Sequence, residues 1–137
     1  MNRSLLLFRL GSRVLAVPAE VTRQVRPQGT LTPLPGSAGT LLGLSAAGGR
    51  ALPVVDLRAV LGVAAGEPSP LTLTLQVQDQ LLAVPTDDVL GFVDSDQRPG
   101  AELLSEEITL GHYGGQRGQL LSPEALLDAV TRRLSAT

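Results

Sequence analysis

Apolar and polar residues alternate along two stretches, FRLGSRVLAVP (Phe8 to Pro18) and LQVQDQLLAVP (Leu75 to Pro85), which match along their length at an offset of 67 residues. Period-two alternation puts every second side chain on one face, so each arm predicts a strand. A short polar break, Gly11-Ser12 in one copy and Gln78-Asp79 in the other, makes each copy a β-hairpin whose second strand stops at proline. After one extra residue in the second copy, Val21 and Val25 align with Val89 and Val93, so the segment leaving each proline keeps its apolar positions. The pattern predicts two similar β subdomains in tandem, each too small to stand alone and packed against the other.

Between the hairpins, Pro33, Pro35, Gly36 and Gly39 break any regular element and predict an extended loop. LLGLSAA and ALPVVDL then flank Gly48-Gly49-Arg50 as the arms of another hairpin. Asp56 is placed to cap a single helical turn, LRAVLG, which Gly62 ends. Residues 63–70, VAAGEPSP, read as the boundary between subdomains within one domain spanning 1–137, with strands free to cross between them. The second half repeats the plan: LTLTLQV alternates strictly, and ITLGHYGGQRGQLL predicts a hairpin around Gly114-Gly115. A closing helix starts with Ser122 as its cap, Pro123 in its first position and Glu124 in its first turn. Leu126, Leu127, Val130 and Leu134 form its apolar stripe, with Arg132 and Arg133 near its end. The fold class is mainly β with one clear helix.

Composition removes several functions from this picture. The chain has no cysteine, which excludes disulfides, thiolate metal sites and cysteine nucleophiles, and makes a cytoplasmic setting the default. Leu5 to Phe8 is too brief for a signal-peptide core, and no stretch has the roughly 20 apolar residues of a membrane helix, so direct membrane binding is not expected. A net charge of −2 with three aromatic residues offers no footprint for nucleic acid. Catalytic groups are sparse. His112, the single histidine, sits beside Tyr113 in a glycine-rich turn without an orienting partner, and GHYGGQRG lacks the lysine and hydroxyl of a phosphate loop. Asp87-Asp88, Asp94 with Asp96, and Glu106-Glu107 read as solvated turns, and no spacing suits a metal. No catalytic residue, metal or cofactor is therefore assigned.

At TPLP, LLGL and above all ALPVVDLRAVLG, the chain resembles the CheW-like family, adaptors that couple bacterial chemoreceptors to the histidine kinase CheA. Gly43 to Gly62 carries most of the likeness, and LAVP resembles the family's strand ending in proline. The resemblance implies two SH3-like β-barrel subdomains packed together with a short C-terminal helix. It implies a non-enzymatic scaffold whose partners are the regulatory domain of a CheA-type kinase and the cytoplasmic tip of a chemoreceptor, with recruitment to membrane-associated arrays.

Receptor contact in the family draws on a glutamate after the first proline and on an arginine in the hairpin, and at those positions this chain has Gln24 and Gly48. Losing both together suggests a complementary pair given up as a unit, because one charge left alone in a desolvated pair costs about 3 to 5 kcal/mol. Arg23 lies one residue before Gln24 and Arg50 two after Gly48, so a loop shifted in register would present either charge instead. The remaining candidate contacts are Leu41, Leu42 and Leu44 on one arm, Leu52, Val54 and Val55 on the other, and Arg58 beyond them. Strict alternation assigns half of these to a barrel core. The alternative function is a structural or assembly protein that keeps the fold and binds other partners.

Overall fold

The structure is a computed structural model that describes residues 3–32, 41–47, 49–63, 66–110 and 117–135. The proline-rich loop at 33–40, Gly48, His112 and Gly114-Gly115 lie outside these residues, as do the side chains of Arg133 and Leu134. Two five-stranded sheets account for most of what is described. The first contains β1 (Arg3–Leu10), β2 (Arg13–Pro18), β8 (Asp88–Ser95), β9 (Ile108–Thr109) and β10 (Arg117–Leu120), in the order β8-β1-β2-β10-β9. The second contains β3 (Thr22–Pro27), β4 (Leu41–Ala47), β5 (Arg50–Val55), β6 (Leu71–Val77) and β7 (Gln80–Thr86), in the order β3-β6-β7-β5-β4. Helix α1 (Leu57–Leu61) precedes the connection to β6, and α2 (Pro123–Ser135) follows β10.

Exchanging β1 to β5 with β6 to β10 converts one strand order into the other. Each sheet therefore takes the hairpin of one repeat and three strands of the other. Registers obey the same symmetry: Leu6 faces Val17 as Leu73 faces Val84, and Phe8 faces Leu15 as Leu75 faces Leu82. Ala16 faces Leu120, and Ala83 faces Val54, across the parallel pairings of β2 with β10 and β7 with β5.

Strand pairing corrects the alignment beyond the prolines. Val25 lies opposite Leu73, and Phe92 lies opposite Leu6, so the counterpart of Val25 is Phe92 and the offset of 67 persists. No extra residue intervenes, because both ladders bulge at the same place, passing over Arg23 in β3 and Leu90 in β8.

Three apolar clusters explain the repeated LAVP. The largest lies between the sheets and joins Leu6, Phe8, Leu15 and Val17 of one to Leu73, Leu75, Leu82 and Val84 of the other, closed by Leu57, Leu126, Leu127 and Val130 from the helices. A second contains Leu5, Leu7, Ala16, Leu110 and Leu120, and a third contains Leu52, Val54 and Ala83. The second and third clusters each draw on the strands of a single sheet and the segments beside them, so each sheet curls around its own interior, and the protein is two SH3-like barrels sharing a face. Leucine and valine of LAVP serve the shared face, while its alanine points into the barrel. The uninterrupted LLLF of β1 follows from burial on both sides.

Local chemistry matches the predicted boundaries. Gly11 takes φ of 62°, and Gln78 and Asp79 take 50° and 66°, the positive values that two-residue hairpin turns demand. Asp56 Oδ1 accepts a hydrogen bond from the Ala59 amide at 3.2 Å, and Gly62 ends α1 with φ of 71°. Ser122 Oγ accepts from the Ala125 amide at 3.1 Å, capping α2. The arms of the last predicted hairpin pair as β9 and β10.

Gly118 is needed for a different reason, since a Cβ there would lie 2.7 Å from the Val14 carbonyl oxygen and 2.9 Å from Leu110 Cδ1. Gly118→Ala is expected to lower stability by about 1–3 kcal/mol through overpacking at the β2–β10 junction. Chemical denaturation of the two proteins measures this directly, and equal midpoints would contradict the parallel pairing of these strands.

Candidate partner-binding surfaces

A strand at the rim of a shared face has no second sheet above it. β3 and β8 are the edge strands that continue the face between the barrels, because Val25 lies opposite buried Leu73 and Phe92 opposite buried Leu6. Phe92 is 65% exposed, Val25 43% and Leu90 42%. The two ledges differ in charge. Exposed Asp88 and Asp94 bracket Leu90 and Phe92 on β8, whereas exposed Arg23 stands beside Val25 on β3.

Between the barrels, Asp87 ties four segments together. Its carboxylate accepts from the Gly11 amide at 2.7 Å, from Ser69 Oγ at 2.8 Å, and from Arg58 Nη2 at 3.1 Å to each oxygen. Arg9 Nη1 lies 4.0 Å away, and the Asp87 amide donates to the Arg9 carbonyl at 2.9 Å. Burial disfavours the charge, but the Gly11 amide, the Ser69 hydroxyl and the Arg58 guanidinium outweigh it and hold the carboxyl below its ordinary value. The sequence pattern puts Asp87 and Asp88 together in a solvated turn. The structure separates them: Asp88 is exposed, and Asp87 joins the β1–β2 turn, α1 and the segment before β6.

Arg58 and Ser69 also line an open, mainly apolar cavity of about 410 Å³, with Leu10, Leu42, Leu57 and Pro85 around them. Of the candidate contacts named from sequence, Leu42 and Arg58 meet in this cavity, and Leu42 is 41% exposed. Leu44 is half-buried on β4. Gln24 is exposed on β3 opposite Thr74, and Arg50 is exposed at the start of β5. Leu41 and Val55 are buried in the core between the barrels, and Leu52 and Val54 are buried inside the second barrel, so these four side chains do not form a surface. Gly48 lies outside the described residues. The signal for the edge ledges was present in the sequence as apolar residues on both alternating positions of β8, where a half-buried strand needs only one set.

No helix among the described residues is long and apolar enough to cross a membrane, and none of them form a group of three or more metal-ligating side chains.

The family model for the CheW-like domain matches residues 4–130. The chain belongs to the CheW-like domain family. A chemotaxis protein CheW of Rhizobium meliloti is 30% identical over 110 residues, covering 77% of this chain and 71% of that protein. A probable chemotaxis protein CheW of Rhizobium etli is 28% identical over the same shares. The crystal structure of the scaffolding protein TtCheW from Thermoanaerobacter tengcongensis superposes with a TM-score of 0.76 at 14% identity, covering 92% of this chain and 88% of that one, which shows the common fold.

In this CheW-like domain, the Asp87 network makes a testable contribution. Asp87→Asn is expected to reduce stability at neutral pH by about 1–3 kcal/mol, because Arg58 and the Gly11 amide lose a charged acceptor. A carboxyl held low in the folded state stabilises fully above its unfolded value near 3.9, and the contribution fades as pH falls below that. Thermal unfolding from pH 7 down to pH 3 should therefore show the two proteins converging at the acid end.

Proposed function

We propose that this domain is an adaptor in a bacterial chemosensory array, coupling chemoreceptors to a CheA-type histidine kinase. Membership of the CheW-like family sets the class of function, and the exposed ledge at Leu90 and Phe92 is the observation that carries the kinase contact. An aromatic side chain this exposed, beside a leucine on an open sheet edge, is a large desolvation gain held for a partner. The kinase's regulatory domain docks on this ledge. Its counterpart around Val25 offers a second, basic docking edge, which suits a scaffold that must touch neighbours on two sides.

The receptor tip engages the apolar cavity around Leu42, with Leu44 nearby. Gln24 and Gly48 stand where the resemblance implies charged receptor contacts, so this contact is apolar or altered. The protein acts in the cytoplasm and is recruited to membrane-associated arrays through the receptor. It carries out no reaction; phosphoryl transfer belongs to its partners.

Calorimetric titration with the regulatory domain of a CheA-type kinase from the same organism, at two temperatures so that a vanishing enthalpy is not misread, tests the kinase contact. Saturable one-to-one binding, weakened about tenfold or more by Phe92→Asp, is expected. Absence of binding at both temperatures would favour a scaffold that kept the fold and serves other partners.

Restoring one family charge tests the receptor contact separately. Gly48→Arg is expected to leave binding of a receptor cytoplasmic fragment no stronger in a pull-down or array reconstitution, and clear strengthening would refute an altered contact.

A further inference from the structure

The two barrels have the same strand order and register but different interiors. In the first, Leu5, Leu7 and Val93 pack into the cluster with Ala16, Leu110 and Leu120. The positions 67 residues away are Thr72, Thr74 and Arg26, and all three line an open cavity of about 300 Å³ in the second barrel, with Thr30, Ser45 and Leu52. The symmetry works as an internal control, since the fold accepts aliphatic side chains at these positions and does not itself require hydroxyls or a cation.

Hydrogen bonding in this cavity is incomplete. Thr74 is only 7% exposed, yet its hydroxyl has no hydrogen-bond partner among the described residues. Arg26 is half-buried directly across from Thr72, and neither an ion pair nor a hydrogen bond among the described residues occupies its guanidinium. Exposed Thr30 and half-buried Ser45 add further hydroxyls to the lining, while Thr72 donates to Gln28 Oε1. No acidic residue is among the described residues that line the cavity. A buried hydroxyl without a partner is costly, and an oxyanion would satisfy it while also giving the half-buried Arg26 a counter-charge. Water can hydrate both groups but supplies no counter-charge.

We propose that the interior of the second barrel is a binding site for a small organic anion, whose carboxylate or phosphate oxygens take the Arg26 guanidinium and the Thr74 hydroxyl. A planar guanidinium matches either group through paired hydrogen bonds. The cavity sits at the small end of the range for ligand pockets, which limits the occupant to a metabolite-sized molecule. Exposed Gln24 lies opposite Thr74 and two residues from Arg26 on the edge strand β3, so an occupied site would adjoin the surface that a partner meets at that edge.

Titration of the ¹⁵N-labelled protein with sodium acetate, citrate and phosphate, each against sodium chloride at matched ionic strength, tests the site. Saturable shifts at the Arg26 side-chain Nε–H and the Thr72 and Thr74 amides are expected, with citrate and acetate separated from phosphate by which arm saturates first. Arg26→Gln should weaken the preferred anion by about tenfold or more. Thr74→Val, which borrows the apolar character of its counterpart Leu7 and so preserves the barrel, should weaken it severalfold. No saturable shift from any of the three anions overturns the proposal, and so does saturation that survives both substitutions.

Discussion

The apolar face shared by the two barrels is the constraint on which the rest of the structure depends. A five-stranded sheet curled around its own interior still presents an outer face, and here that face carries Leu6, Phe8, Leu15 and Val17 on one sheet and Leu73, Leu75, Leu82 and Val84 on the other. Each such side chain is worth about 1.5–3 kcal/mol when buried, so neither sheet is stable with the face open to water. The exchange of strands fixes the joint further. β3 leaves the first hairpin to complete the second sheet, and β8 returns to complete the first, so neither sheet can be assembled from one repeat alone. Asp87 sits at the second of these crossings, between β7 and β8, and its hydrogen bonds tie the β1–β2 turn to α1 and to the segment entering β6.

The same constraint generates the exposed ledges. Crossing strands must be added at the rims of their new sheets, and there the shared face runs out from beneath its cover. Phe92 and Val25 are opposite core residues in register but lie beyond the opposing sheet, so they are apolar by membership of the face and exposed by position. Under the proposed function, an adaptor built this way would obtain two related docking edges from one packing arrangement. Their opposite charges let them discriminate between partners, since like charges placed together at a contact are penalised more heavily than complementary ones are rewarded.

Much of this architecture is legible in the sequence because hairpins, caps and turns are local. LAVP, the polar breaks at Gly11 and Gln78, Asp56 before α1 and Ser122 before α2 each act within a few residues, and the structure has them where the pattern placed them. Strand exchange is not local. Periodicity marks the apolar positions of the segment leaving Pro18 but cannot say that this segment becomes a strand paired with β6. The alignment of Val25 with Val93 failed because valine matched valine by letter, whereas the paired bulges at Arg23 and Leu90 preserve the spacing and bring Phe92 into the equivalent place. Asp87 was invisible for a similar reason. Adjacent carboxylates look alike in sequence, and only the fold turns one toward Gly11, Ser69 and Arg58. Leu41 on β4, and Leu52, Val54 and Val55 on β5, read as surface candidates because both arms of this hairpin are rich in apolar residues; burial in the shared face and inside the second barrel accounts for them instead.

The repeat supplies the hairpin and crossing-strand positions of this fold twice, and the copies need not carry the same burden. Filling the first barrel with Leu5, Leu7, Leu110 and Leu120 secures one half of the molecule through its own interior as well as the shared face. The second barrel has a smaller buried cluster, Leu52, Val54 and Ala83, and places Thr72, Thr74 and Arg26 where its twin has aliphatic side chains. Its stability must therefore rest more heavily on the shared face and on the strands it exchanges with its neighbour. A barrel supported from outside can leave its interior polar, which is the condition a ligand cavity needs. The joint that makes the two halves inseparable is thus also what lets one of them keep a smaller apolar interior of its own.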